Sequence, residues 1–155
     1  MFSQTTEYAL RAMACLALRP DELVATPTLA GQTKVPPNYL AKVLQQLSGA
    51  KLITGRRGVG GGYKLAKPAS QIRLLDVINA VTEVRRITTC PLGLPNHGPN
   101  LCPLHKKADE AAAAVIDVYN GVSLQDLMTD PGANKPLCDV KLTATLSVSA
   151  VGAKR

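Results

Sequence analysis

The chain has 155 residues, with 18 Lys and Arg against 11 Asp and Glu and a net charge of +7, which fits one domain with an appendage and points to an anionic partner. No apolar run is long enough to cross a bilayer, and the opening "MFSQTTEYAL" lacks the basic and apolar regions of a secretory signal, so a cytoplasmic protein that does not enter membranes is expected. Aromatic residues are only 3% of the chain and Trp is absent, which argues against a surface that stacks single-stranded bases but leaves duplex DNA open.

The segment from Thr5 to Leu18 places Tyr8, Ala12, Cys15 and Leu16 on one face at helical spacing, with Leu10, Met13 and Ala17 beside it. It reads as a core helix, and Cys15 as a buried thiol within it. Two helix starts come next: Thr26 as N-cap with Pro27 at the first helical position, and then the Pro36-Pro37 pair. In the second of these helices Leu40, Val43, Leu44 and Leu47 recur at i, i+3, i+4 and i+7 and must face the core, while Asn38, Ala41, Lys42, Gln45 and Gln46 point outward; Gly49 is the expected stop. Amide and amine side chains at that spacing can bond base edges and phosphates in a major groove, although alone they are equally a solvated helix face.

The glycine-rich segment after this helix favours the groove. The stretch "KLITGRRGVGGGYKLAK" alternates as a strand, passes through five glycines and alternates again, with Tyr63 and Leu65 inward and Lys64 outward. A phosphate-cradling glycine loop must run into a helix N-terminus, whereas this one runs into a second strand and Pro68, and the Walker spacing is absent. The glycines therefore turn a hairpin that presents Arg56 and Arg57 at the end of a two-stranded wing. Between Glu22 and Asp76 there is no acidic residue, while Lys34, Lys42, Lys51, Arg56, Arg57, Lys64, Lys67 and Arg73 are all basic, so the excess positive charge lies in the helix-turn-helix and wing.

The helix "LLDVINAVTE" closes the winged unit near Glu83. A Pro-rich, Gly-rich loop then carries Cys90, His97, Cys102 and His105. In a reducing compartment these thiols are not a disulfide framework, so each is either buried as a small hydrophobe or poised for metal or redox chemistry, and Cys102-x-x-His105 is a ligand-like spacing that still needs further ligands. Beyond it "ADEAAAAVIDVYNG" is a strong helix former in which Ala108, Ala111, Ala112, Val115, Ile116 and Tyr119 trace a small-residue seam, suited either to the same helix of a second subunit or to the chain's own domain. Ser123 and Asp126 cap a short helix. The tail from Asp130 alternates like one strand with no partner strand, so disorder and an edge strand both stand open, and Cys138 is given no role.

The stretches "TEYALRAMACLA", "VPPNYLAKVLQQLSGAKLITGRRGVGGGYKLAKP" and "IRLLDVINAVTE", together with the Cys90, Cys102, His105 loop, resemble the Rrf-type winged-helix transcription regulators of the IscR and NsrR kind over about residues 1–129. The resemblance implies a mainly α fold with a small β-hairpin wing: a winged helix-turn-helix domain over 1–83, a Cys/His sensor loop over 84–104, a dimerisation helix and short capping helix over 105–129, and a tail over 130–155. It also implies a homodimer that reads palindromic operator DNA and, in many members, an iron-sulfur cluster that responds to iron, redox state or nitric oxide; the exposed pattern and charge make Asn38, Lys42, Gln45, Arg56, Arg57 and Lys64 the candidates for DNA contact. This chain has Asn96, followed by His97, where cluster-binding members carry a third cysteine. A ligand set of Cys90, Cys102, His105 and the partner's Glu7, with His97 as a substitute, would then favour a 2Fe-2S centre over 4Fe-4S. The alternatives are a cluster-free regulator using the loop as a thiol switch or small-ligand pocket, a structural zinc module, and a thiol or metal enzyme, the last disfavoured because no orienting third residue or pocket-forming domain is left over.

Overall fold

The computed structural model describes residues 3–94, 100–130 and Pro136. Asn96, His97, Cys138 and the alternating tail lie outside the described residues. The elements run α1 (Gln4–Ala17), α2 (Thr26–Thr33), α3 (Pro37–Gly49), β1 (Ile53–Arg56), β2 (Gly62–Leu65), a 3-10 turn (Ala69–Gln71), α4 (Leu74–Val81), α5 (Pro103–Asn120) and α6 (Leu124–Thr129). This is the expected mainly helical architecture with one antiparallel hairpin.

Helix α1 starts at Ser3, whose Oγ accepts from the Thr6 amide at 3.2 Å. It runs through the centre of the core, where Ala9, Ala12, Met13 and Leu16 are completely buried. Cys15 is buried as expected; its Sγ lies 3.1 Å from Gln32 Oε1, and burial raises its pKa. The buried Thr6 hydroxyl bonds Thr82 at 3.2 Å and so ties the start of α1 to the end of α4.

The start of α2 differs from the sequence expectation. Its N-cap is Ala25 and makes no side-chain cap, while Thr26 is already helical with Pro27 in the first turn. Lys34, at φ 54°, turns the chain by a left-handed step into α3, which opens on Pro36 and Pro37 as expected. Leu40, Val43, Leu44 and Leu47 are all buried. Helix α3 ends at Gly49 as expected, although Gly49 is its last helical residue and Lys51, at φ 58°, supplies the left-handed step beyond it. The Lys51 amide reaches Ser48 O and the Leu52 amide reaches Leu47 O, both at 3.0 Å, closing a Schellman cap whose apolar contact is made by the buried Leu47 and Leu52.

The hairpin pairs Ile53 with Leu65, Thr54 with Lys64, Gly55 with Tyr63 and Arg56 with Gly62. A third partner was not visible in the sequence: Val24 exchanges both backbone bonds with Tyr63, at 2.8 and 2.9 Å. The approach is so close that a Cβ on Gly62 would stand 2.4 Å from the Val24 carbonyl oxygen.

Helix α6 returns to the winged unit. Its Ser123/Asp126 capping box forms as expected, with Ser123 N to Asp126 Oδ2 at 2.7 Å and Asp126 N to Ser123 Oγ at 3.2 Å. Leu124 is completely buried in the same core as α1. Backbone bonds from Leu124 N to Ile72 O and from Leu74 N to Val122 O, each 2.9 Å, stitch the ends of α6 and α4 together. Helix α5 is the exception to this packing: it touches α4, yet none of its 18 residues is buried. No described helix is long and apolar enough to cross a membrane.

Candidate nucleic-acid interface and cysteine loop

The amphipathic spacing that buries one stripe of α3 exposes the opposite one. Asn38, Ala41, Lys42, Gln45 and Gln46 are all exposed, in line with expectation. Tyr39 joins them, 53% exposed, with its ring held edge-on to Tyr8 at a centroid distance of 6.1 Å. Sequence pattern alone does not single out Tyr39, because an aromatic residue beside Leu40 looks like core. It lines, with Lys42, Gln45, Gln46, Thr5 and Thr82, a groove of about 490 Å³ along the flank of α3.

Arg56 and Arg57 lie in a second groove of about 540 Å³ between the wing, the start of α2 and Ser48 near the end of α3. The wing tip is built on glycine: Gly58 and Gly60 hold φ of 92° and 70°, and the Gly61 amide closes the turn on Gly58 O at 2.9 Å. Lys64 is not brought to this groove. It is half-buried on β2 and lines a separate hollow of about 390 Å³ with Lys67, Asp21 and Gln125.

In the loop, Cys102 is the N-cap of α5 and its Sγ lies 3.3 Å from His105 Nδ1, so these two predicted ligands do meet. Cys90 is 9% exposed and opens a turn in which the Gly93 amide bonds its carbonyl at 3.0 Å. Among the described residues, Cys15, Cys90 and Cys102 are free thiols, and no three His, Cys, Asp or Glu side chains converge as a metal-holding group. The Glu7 carboxylate is engaged by Arg11 Nε at 2.9 Å on the exposed side of α1. The described part of one chain thus assembles two of the four donors that a cluster requires.

The two stems of the loop are fastened by an ion pair separated too widely in sequence to be anticipated. Arg86 donates to both oxygens of Asp109, each at 2.6 Å, and the Ile87 amide adds a bond to Oδ1 at 2.8 Å. The Arg86 guanidinium holds the Asp109 carboxyl down at about 2, against an ordinary value of 3.8. A carboxylate whose folded pKa is depressed contributes stability above its unfolded value, and that contribution disappears as pH falls through the folded one. The clamp should therefore hold at neutral pH and open in acid, with a carboxyl NMR titration of Asp109 giving a midpoint near 2 and faster exchange of the Ile87 amide over the same range. A midpoint at the ordinary value would mean that the pair does not form in solution.

Residues 2–130 match the Rrf2 family, described as iron-dependent transcriptional regulators. A protein of Aquifex aeolicus (strain VF5) assigned as an HTH-type transcriptional regulator is 33% identical over 131 residues, covering 83% of this chain and 91% of that one. Among solved structures, T. potens IscR is similar with a TM-score of 0.69 at 20% identity, over 85% of this chain and 88% of its own. CymR, the global cysteine regulator of B. subtilis, is similar with a TM-score of 0.66 at 22% identity, over 82% and 95%. At those identities the structural likeness carries the fold, and the family match, which spans the helix-turn-helix, the wing, the cysteine loop and α6, carries the class of activity. The chain belongs to the Rrf2 family of DNA-binding transcriptional regulators, a family of regulators and not of enzymes.

Proposed function

We propose that the chain acts as a homodimer that recognises a palindromic operator in duplex DNA, with α3 in the major groove and the wing along the adjoining minor groove. The observation that carries this reading is the surface formed by residues 23–75, which is free of acidic side chains and exposes Asn38, Lys42 and Gln45 on α3 beside Arg56 and Arg57 on the wing. Asn38 and Gln45 have the bidentate amides suited to base edges, Lys42 is a point charge suited to phosphate, and Lys64, outside the wing groove, would add its charge from the flank. The second subunit packs on α5, whose seam the described chain covers only in part, leaving no residue of the helix fully buried.

The cysteine loop is the regulatory element in this reading. Its first form is a 2Fe-2S cluster on Cys90, Cys102, His105 and the partner's Glu7, which would supply an electron-accepting, oxidant-sensitive centre. A second, cluster-free form is supported by a specific observation: the described donors of one chain stop at the Cys102–His105 pair, an arrangement that suits a thiol switch without any metal.

Anaerobic purification with metal analysis, followed by titration of the protein's own upstream DNA over a salt series, tests both levels. Phosphate contacts by three or four cations on each of two subunits predict a log–log slope of affinity against salt on the order of −5 to −7. A flat response would remove the DNA reading. A brown protein whose iron is lost in Cys102→Ala would support the first form of the loop, whereas a colourless, iron-free protein with unchanged DNA binding would leave the second.

A further inference from the structure

The two adjacent wing arginines are treated differently by the fold. Arg56 ends β1 opposite Gly62, and its Nη2 donates to the Gly60 carbonyl across the wing tip at 3.0 Å. The tip between them is otherwise held only by glycine: Gly58 and Gly60 lie at positive φ, and one backbone bond joins Gly61 to Gly58. Such a segment loses more conformational freedom on ordering than any other composition, so a side chain that bridges it has a large effect on its shape. Arg57 makes no hydrogen bond or ion pair to the described protein and lines the groove facing the start of α2. At the apex, Val59 is fully exposed between Gly58 and Gly60.

We infer that the pair divides its labour: Arg56 is a positioning residue that bridges the wing tip, whereas Arg57 and Val59 are the side chains that enter the minor groove. The inference rests on the duplex-binding reading. A guanidinium already committed to a carbonyl has a fixed direction and contributes order to residues 57–60. An uncommitted guanidinium on the same ribbon can follow the negative potential of a narrow minor groove, where the low-lying sugar walls give an apolar side chain such as Val59 its contact. Within the wing, the ionic contact with DNA then belongs to Arg57, and the preorganisation that makes it effective belongs to Arg56.

Salt-series titrations of Arg57→Ala, Arg56→Lys, Arg56→Ala and Val59→Ser against one operator duplex, with amide exchange of the wing in DNA-free protein, test this division. Arg57→Ala should make the log–log slope shallower by about 1.8, from the loss of one duplex-neutralising cation on each of two wings, and leave exchange at 58–61 unchanged. Arg56→Lys keeps the charge but loses the guanidinium bridge; it should keep the slope, weaken binding by roughly three- to tenfold and accelerate wing exchange. Arg56→Ala should accelerate exchange equally, and Val59→Ser should weaken binding at constant slope. The division is overturned if Arg56→Lys behaves as wild type in both measurements while Arg56→Ala lowers the slope as much as Arg57→Ala. Failure of the wild-type protein to bind any duplex would instead remove the underlying reading.

Discussion

Gly62→Ala is expected to detach the wing and destabilise the protein by about 2–4 kcal/mol, from two backbone hydrogen bonds and an overpacking strain that no rotamer can relieve. The added Cβ would stand 2.4 Å from the Val24 carbonyl oxygen, 2.5 Å from its carbon and 2.9 Å from the Ala25 nitrogen, all of them backbone atoms. Val24 and Tyr63 would have to part, opening the bridge that fixes the wing against the start of α2. Chemical denaturation and duplex binding should both register the change. Gly31→Ala is the control: it lies in α2 with nothing within 4 Å of the new carbon, so stability should hold or rise slightly. If Gly62→Ala denatures at the wild-type midpoint, the three-membered ladder does not exist in solution.

Ile116→Glu is expected to yield a folded monomer by sedimentation and to lower operator affinity by roughly 10²–10⁴-fold, the avidity lost when two half-sites are no longer engaged together. The reason lies in α5. It is an 18-residue helix that is nowhere buried, with Leu104 and Val118 exposed at 73% and 63% and Ile116 only half covered. Helices of this length derive most of their stability from packing of an apolar face, and here the described chain covers that face only in part. A charge at its centre would be solvated in a monomer and buried unpaired in a dimer, so the monomer is favoured. A variant that stays dimeric at wild-type strength would place the subunit contact elsewhere.

Elements with a period were legible in the sequence. Leu40, Val43, Leu44 and Leu47 announced both the buried stripe of α3 and, by subtraction, the side chains it exposes. Pro37 and the Ser123/Asp126 pair marked helix starts because their chemistry is local to one turn. Gly49 marked where α3 ends, but the left-handed step falls on Lys51, where backbone bonds from Lys51 and Leu52 close the last turn, a choice no residue type announced. The Val24–Tyr63 bridge is one residue long and has no pattern to read. The Arg86–Asp109 clamp spans 23 positions, and the Arg56–Gly60 bond depends on a turn shape that the glycines permit without specifying. At the cysteine loop, residue types and spacing pointed to Cys90, Cys102 and His105; the fold brings Cys102 and His105 together, while no third donor among the described residues joins them.

Helix α5 is moored near both ends to the body that carries α3: through Asp109 to the segment leaving α4, and through Val122 and Leu124 to the segment entering it. An arm fixed at two points cannot flap like a one-ended hinge. Any torque applied at its Cys102 end would be delivered to the whole winged unit as a roll or tilt, and in the proposed dimer that would change the spacing and pitch of the two copies of α3 without requiring either of them to bend.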